Sequence, residues 1–390
     1  MKYNKVVYFR YMPLTAKIAK DLYMLELQEL PIKVEYWDLT SLFFKDTSYM
    51  EDSSGIIETV KFESLKQFEK AVKNENIIFN VLFISIVTFE GKVKQIYDIF
   101  TKYNCELAVF GRNMFPLPEG HERNLFSRLK RLNLNKITAF LKNKFVLYQK
   151  RIGKIKSYDI IFAGGTHGWK GVGNIEYAEV VRSKLVKLNS DDYDNYLNQR
   201  EELSIINGDY ILFLDEYLPL HPDTKLFNIK NIKSEHYYPE LCLYFNRVEE
   251  QFGMPVVIAA HPKALLYKSK NFFEGRQVIF DKTAVLSKFA HFVLAHDTTS
   301  INYPVAFGTK LHFISSDAIE REINSVHINA IKFAQYLGCN FQHFNRINEK
   351  INVIADLPRI EYDKYKYNFQ TWPETESKQS KEIFVDFFKK

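Results

Sequence analysis

Two stretches of the chain run an apolar strand straight into polar residues that can do chemistry. PVVIAA at 255–260 leads into His261-Pro262-Lys263, and HFVLA at 291–295 leads into His296-Asp297-Thr298-Thr299-Ser300. In a parallel sheet both loops open on the same edge. Hydroxyls beside the unpaired N–H groups of a helix start make a cradle for phosphate. An imidazole and a lysine ammonium add donors and positive charge. Taken singly, Asp, Ser and Thr before a helix are ordinary caps, and a loop histidine is commonly structural. Their joint placement points to a shared anionic site, with Thr299 38 positions after His261 across one strand–helix–strand unit.

Proton transfer needs a carboxylate or an imidazole in reach of the reacting hydroxyl. Asp215-Glu216, at the end of the apolar run YILFL, are candidates. So is His167 in the turn Gly164-Gly165-Thr166-His167-Gly168, at the end of DIIFA. The plainer alternatives are a turn carboxylate and a tight turn. A second His-Pro pair, His221-Pro222, does not follow a strand directly and reads as a turn. Metal-ligand spacing is missing: Cys105, Cys242 and Cys339 are scattered, no CxxC occurs, and Asp191-Asp192 does not sit at a strand end. No metal ligand is expected, and the scattered thiols point to a reducing, cytoplasmic compartment.

The elements that must carry these residues alternate along the chain. Strands are expected at 5–10, 32–38, 77–89, 106–110, 159–163 and 184–188, with helices at 15–29, 66–72 and 93–103 between them. After the polar segment 189–208 the rhythm restarts. Strands are expected at 209–214, 255–260, 277–280, 291–295 and, last, 310–314; helices are expected at 238–252, 283–289, through 306, and at 317–337. An amphipathic helix at 378–388 closes the chain. Such alternation predicts parallel sheets covered by helices. The 390 residues allow about two domains. The expected fold class is α/β and GT-B-like: two Rossmann-like domains facing each other across a cleft, with a C-terminal helix. The expected boundaries are 1–190 for an acceptor-binding domain, 191–208 for the interdomain segment, 209–370 for a nucleotide-sugar-binding domain and 371–390 for the terminal helix.

Composition excludes disorder, with 46% hydrophobic and 26% charged residues. The run 77–89 is too short to span a bilayer and contains Asn80 and Ser85, so it reads as a buried strand. No signal peptide is expected from the first residues. The net charge of +6 is modest, but residues 123–156 hold eleven Lys or Arg and no Asp or Glu. Leu125, Leu129, Leu132, Ile137, Phe140 and Leu141 are interleaved at roughly helical spacing. The stretch is a solvated helix face, a patch for an anionic membrane surface, or a nucleic-acid contact. The last is disfavoured by the modest charge and the lack of a recognition motif. No nucleic-acid partner is expected; the expected location is cytoplasmic, with the solvated face and peripheral attachment to the inner face of the cell membrane both left open.

Across residues 209–316 the layout resembles bacterial GT-B glycosyltransferases that use cytidine-nucleotide donors: sialyltransferases and related capsule or lipopolysaccharide transferases. In those families His-Pro follows one strand of the second domain, a Ser/Thr pair after a later strand holds the donor phosphate, and a paired acid lies earlier. His261-Pro262 matches the first and Thr299-Ser300 the second. Asp215-Glu216 matches the third, followed by Tyr217 where the family has Gly. The resemblance implies transfer of a sugar from a nucleotide donor, with a CMP-activated acidic sugar such as sialic acid leading, to a capsule, O-antigen or lipopolysaccharide acceptor. It implies His261, Pro262, Lys263, Asp297, Thr298, Thr299 and Ser300 at the donor; Gly164 and Gly165, outside that span, are donor candidates from their own Gly-rich turn. Asp215, Glu216, His261 or His167 would serve the chemistry. Donors of this kind stabilise the departing phosphate without metal, so neither metal nor cofactor is expected. The alternatives are a CDP-alditol phosphotransferase of teichoic-acid type and a non-enzymatic basic adaptor. A sugar-nucleotide 2-epimerase is disfavoured, since Ile301-Asn302 stand where that family carries acids.

Overall fold

The structure, a computed structural model, describes the chain apart from residues 45–52, 54, 117–133, 171, 223 and 225–229. The chain forms two compact units, the first made of Met1–Met114, Glu122–Asp191 and Thr371–Lys390, the second of Phe115–His121 and Asp192–Gln370.

The first unit holds a seven-stranded parallel sheet. Its strands are β1 (Lys5–Arg10), β2 (Lys33–Asp38), β3 (Glu58–Lys61), β4 (Val81–Ser85), β5 (Glu106–Gly111), β6 (Ile160–Gly164) and β7 (Lys184–Leu188). Their order in space is β3-β2-β1-β4-β5-β6-β7. The second unit holds β8 (Ile211–Leu214), β9 (Val256–Ala259), β10 (Val278–Ile279), β11 (Val293–Ala295), β12 (Leu311–Ser315) and β13 (Asn340–His343), in the order β10-β9-β8-β11-β12-β13. The central strands are buried along their whole length, such as VLFIS in β4 and ILFL in β8. Continuous apolar runs of this kind belong to sheets covered on both faces. The expected α/β class, built on two Rossmann-like sheets, is what the chain adopts. Each sheet reverses its winding beside its first strand, between β1 and β4 and between β8 and β11. The carboxyl end of such a switch point is where open α/β sheets bind ligands.

Several elements differ from the sequence reading, each for a local reason. The apolar run 77–89 is only partly strand. The helix Leu65–Ile78, capped by Ser64, continues through Ile77 and Ile78, and only Val81–Ser85 pairs in the sheet. The helix expected at 15–29 is two, Ala16–Asp21 and Met24–Gln28, interrupted at Tyr23 with φ of 57°. The strand at 310–314 is not the last. Asn340–His343 pairs beside it, although its NFQH sequence carries little strand signal. The edge strand Glu58–Lys61 and the helices Tyr177–Arg182 and Arg359–Phe369 were also not foreseen.

The segment 191–208 opens with the helix Asp191–Gln199. Asp191 pairs with Arg112 at 3.0 Å in the first unit. Asp192 accepts from Asn302 at 2.7 Å and from Tyr303 at 3.1 Å in the second. The terminal helix Ser380–Lys389 packs into the first unit, where Phe384 meets the rings of Tyr23, Phe110 and Phe162. Trp372, just ahead of it, donates from Nε1 to the Ala163 carbonyl at 2.8 Å.

Candidate active site at the edge of the second sheet

The site is built on strand ends. β8 is the first strand of its sheet and has β9 on one side and β11 on the other. The residues that follow these three strands therefore share one edge, at the switch point. They are Asp215-Glu216 after β8, His261-Pro262-Lys263 after β9, and His296-Asp297-Thr298 after β11.

Hydrogen bonds tie them together. The Asp215 carboxylate accepts from the His261 backbone N–H at 3.4 Å and from the Tyr267 hydroxyl at 3.2 Å. Tyr267 is in turn 2.8 Å from the Tyr238 hydroxyl. Asp215 is buried, and burial pushes its carboxyl up to about 7 against the opposing pull of these donors and the Tyr217 N–H. Glu216 accepts from the Asp297 N–H at 2.9 Å, and Asn329 donates to the Asp297 carboxylate at 2.9 Å. Burial first, and then the neighbouring Asp297 charge, hold the Glu216 carboxyl well above the carboxylate range.

His261 has its tautomer set by the backbone. The Lys263 N–H donates to His261 Nδ1 at 3.1 Å. In the neutral ring Nδ1 is then the acceptor and Nε2 carries the hydrogen. That makes Nε2 a donor, the form a phosphate oxygen needs. The rings of His221 and His261 stand 5.0 Å apart, so the second His-Pro pair lies beside the first.

The phosphate loop is modest in its helix. Thr298 caps a single 3₁₀ turn, Thr299–Ile301, by accepting from the Ser300 N–H at 3.2 Å, and a short helix Asn302–Phe307 follows. His296, just before it, is fully buried. Its Nδ1 faces the Ile314 carbonyl at 2.7 Å and its Nε2 the Tyr237 hydroxyl at 2.9 Å. Burial lowers its imidazole to about 4, so it is a neutral structural group. Tyr237, Tyr267 and Asn329 carry no motif and were missed in the sequence. A cavity of about 340 Å³ opens beside the start of the helix Ser234–Phe252, lined by Lys233, His236, Glu240 and Arg321 among others.

Gly164, Gly165 and His167 lie in the first unit, after β6. A Cβ on Gly164 would come within 2.8 Å of the Arg112 Cβ, and Gly165 has φ of +81°. Gly165 supplies the left-handed backbone of the turn, and Gly164 the room for the close approach of the Arg112 side chain. His167 Nδ1 is 3.2 Å from the Thr166 hydroxyl, and its carbonyl accepts from the Lys170 N–H. These residues are not among those gathered at the second sheet's edge.

Of the basic stretch, residues 123–133 lie outside the described residues. The rest forms the helix Leu134–Arg151 and its exit. Three of its cations are occupied. Lys150 is buried against Glu179 at 2.8 Å, Arg151 pairs with Glu176 and Lys156 with Asp159. Leu141, Phe145, Tyr148 and Ile152 recur at one-turn spacing and are 60%, 58%, 55% and 45% exposed, an apolar stripe beside Lys142 and Lys144. No described helix is long and apolar enough to cross a membrane.

No protein-family model and no curated protein matches the sequence. Solved structures similar to it include the UDP-GlcNAc 2-epimerase from Methanocaldococcus jannaschii, at 11% identity and a TM-score of 0.45 over 99% of this chain and 100% of that one. The calicheamicin glycosyltransferase CalG4 is similar at 10% identity and 0.48, over 100% and 98%. The wall teichoic acid polymerase TagF is similar at 10% identity and 0.48, over 99% and 88%. Likenesses this distant leave the chemistry to be argued from the site itself.

Proposed function

We propose that the chain is a glycosyltransferase of GT-B type that moves a sugar from a nucleotide donor to a surface-glycan acceptor. The carrying observation is the convergence of Asp215, Glu216, His261 and Asp297 on one edge at the switch point of a doubly wound sheet. In this reading His261 donates from Nε2 to the departing phosphate. Lys263 adds charge, and Thr298, Thr299 and Ser300 add hydroxyls and amides. Asp215, poised at about 7, takes the acceptor's proton. Glu216, accepting from the Asp297 N–H, fixes the loop after β11 against that after β8. Developing charge on the phosphate is met by fixed donors, so no step runs through a metal. A CMP-activated acidic sugar is the leading donor, on the match of His261-Pro262 and Thr299-Ser300 to the cytidine-using transferases. The exposed stripe at Leu141, Phe145, Tyr148 and Ile152, with its lysines, fits the surface of an anionic membrane holding a glycolipid acceptor.

The test is a thermal-shift screen of the whole chain against CMP, CDP, UDP, GDP and ADP. A true leaving-group nucleotide in large excess raises the melting temperature by mass action. CMP should do so in the parent and much less in His261→Ala. Stabilisation by UDP alone would overturn the donor, and no response to any nucleotide would overturn the enzyme reading.

A further inference from the structure

Two strands away from the proposed active site, at the ends of β12 and β13, a second cluster of side chains has no role in that chemistry. Glu320 lies on the helix Asp317–Glu322, His327 on the helix Asn324–Tyr336, and His343 ends β13. One ligand atom from each lies within 4.8 Å of the others. His327 and His343 are buried, at 6% and 7% exposure, while Glu320 is exposed.

Each imidazole has one nitrogen held by an oxygen. His327 Nδ1 is 3.1 Å from the Ser315 hydroxyl, and its Nε2 faces the Glu320 carboxylate at 3.9 Å. His343 Nδ1 is 2.7 Å from the Asp317 carboxylate, which also accepts from Asn345 at 3.0 Å. The two rings are 5.2 Å apart, and Phe341 packs its ring against both. A carboxylate or hydroxyl on one ring nitrogen, leaving the other for an ion, is how protein sites orient metal-binding histidines.

We propose that Glu320, His327 and His343 bind one divalent transition-metal ion of the zinc kind, with Asp317 and Ser315 orienting the two rings. Two imidazoles and a carboxylate suit zinc, with bonds of about 2.0–2.2 Å and a fourth position for water. Such bonds need the three ligand atoms closer together than they stand. The exposed Glu320 side chain can close that distance by a change of rotamer. The ion pins two helices to the last strand of the sheet, a brace rather than a participant in transfer.

The whole chain, stripped of metal, is titrated with cobalt(II) and then zinc. One equivalent of cobalt should give the visible absorption of a four-coordinate site, and zinc should displace it. Glu320→Gln, at an exposed position, should fold normally and bind at least ~10-fold more weakly. Asp317→Asn should weaken binding ~10–100-fold, the usual effect of removing an orienting carboxylate. A parent that takes up no ion at micromolar concentrations overturns the proposal. So does a parent whose affinity is matched by Glu320→Gln and His343→Ala, which would mean an adventitious ion only. Nucleotide binding is read separately, so either proposal can fail without the other.

Discussion

Replacing Asp215 with Asn should make the protein more stable and less active at once, with a dependence on pH that identifies the cause. An aspartyl carboxyl titrates near 3.8, and in the fold it is pushed up to about 7, chiefly by burial. A group whose folded value lies above its unfolded one supports the fold when protonated. That support is complete below pH 3.8 and is lost as pH rises through about 7. At ~1.4 kcal/mol per tenfold change in proton affinity, the displacement is worth ~4 kcal/mol, fully felt above neutrality. Asn keeps the shape and the contact with Tyr267 but cannot ionise. Its amide hydrogens meet the His261 N–H less well, which costs about 1 kcal/mol or more. Asp215→Asn should therefore melt close to the parent at pH 4. At pH 8 it should be more stable by about 2–3 kcal/mol, with each kcal/mol moving the midpoint ~2–4 °C in a unit of this size. Loss of the proton acceptor should lower transfer ~10²–10⁴-fold. Calorimetry at pH 4, 6 and 8, with turnover on the same preparations, decides it. A gain equal at pH 4 and pH 8 refutes the burial argument, and normal turnover refutes the role of Asp215.

His261→Ala should fold normally and transfer ~10²–10³-fold more slowly, the usual cost of removing one transition-state donor; near-normal turnover of a folded variant would remove His261 from the site. His296 is lowered from 6.5 to about 4, so it supports the fold above pH 6.5 and that support fades as pH falls toward 4. As pH falls from 6.5 to 4 the denaturant midpoint of His296→Gln should rise relative to the parent's; a difference that stays constant with pH would refute the assignment. Transfer by Glu320→Gln should persist in EDTA, and complete loss restored by Mg²⁺ or Mn²⁺ would reveal a catalytic ion. Co-sedimentation with anionic vesicles should fall as salt rises and fall further in Leu141→Ser plus Phe145→Ser, with turnover on a soluble acceptor analogue unchanged. Undiminished vesicle binding by that double variant would make the stripe an ordinary exposed face.

The strand ends that carry the candidate site were legible in the sequence because of how a parallel sheet is made. A strand buried on both faces must be a continuous apolar run, so where VVIA or ILFL stops and His261 or Asp215 begins, the edge of the sheet is marked in the letters themselves. Alternation of such runs with helical spacing carried the α/β class for the same reason. Where burial and sequence part company, the reading failed. Ile77 and Ile78 are apolar yet end a helix in solvent, and NFQH pairs as β13 because a neighbouring strand offers it an edge.

Strand order, by contrast, is not written in any local stretch. The sequence places β9 and β11 as far from each other as from many other segments. Only the fold inserts β8 between them and so brings Asp215 and Glu216 beside His261 and Asp297. The proton affinities follow from that insertion, since burial and the approach of a second carboxylate are properties of the packed state. The same holds for His327 and His343. They are separated by a helix and a turn in the chain, and they meet only because β13 lies against β12 and returns His343 to the helix that carries His327.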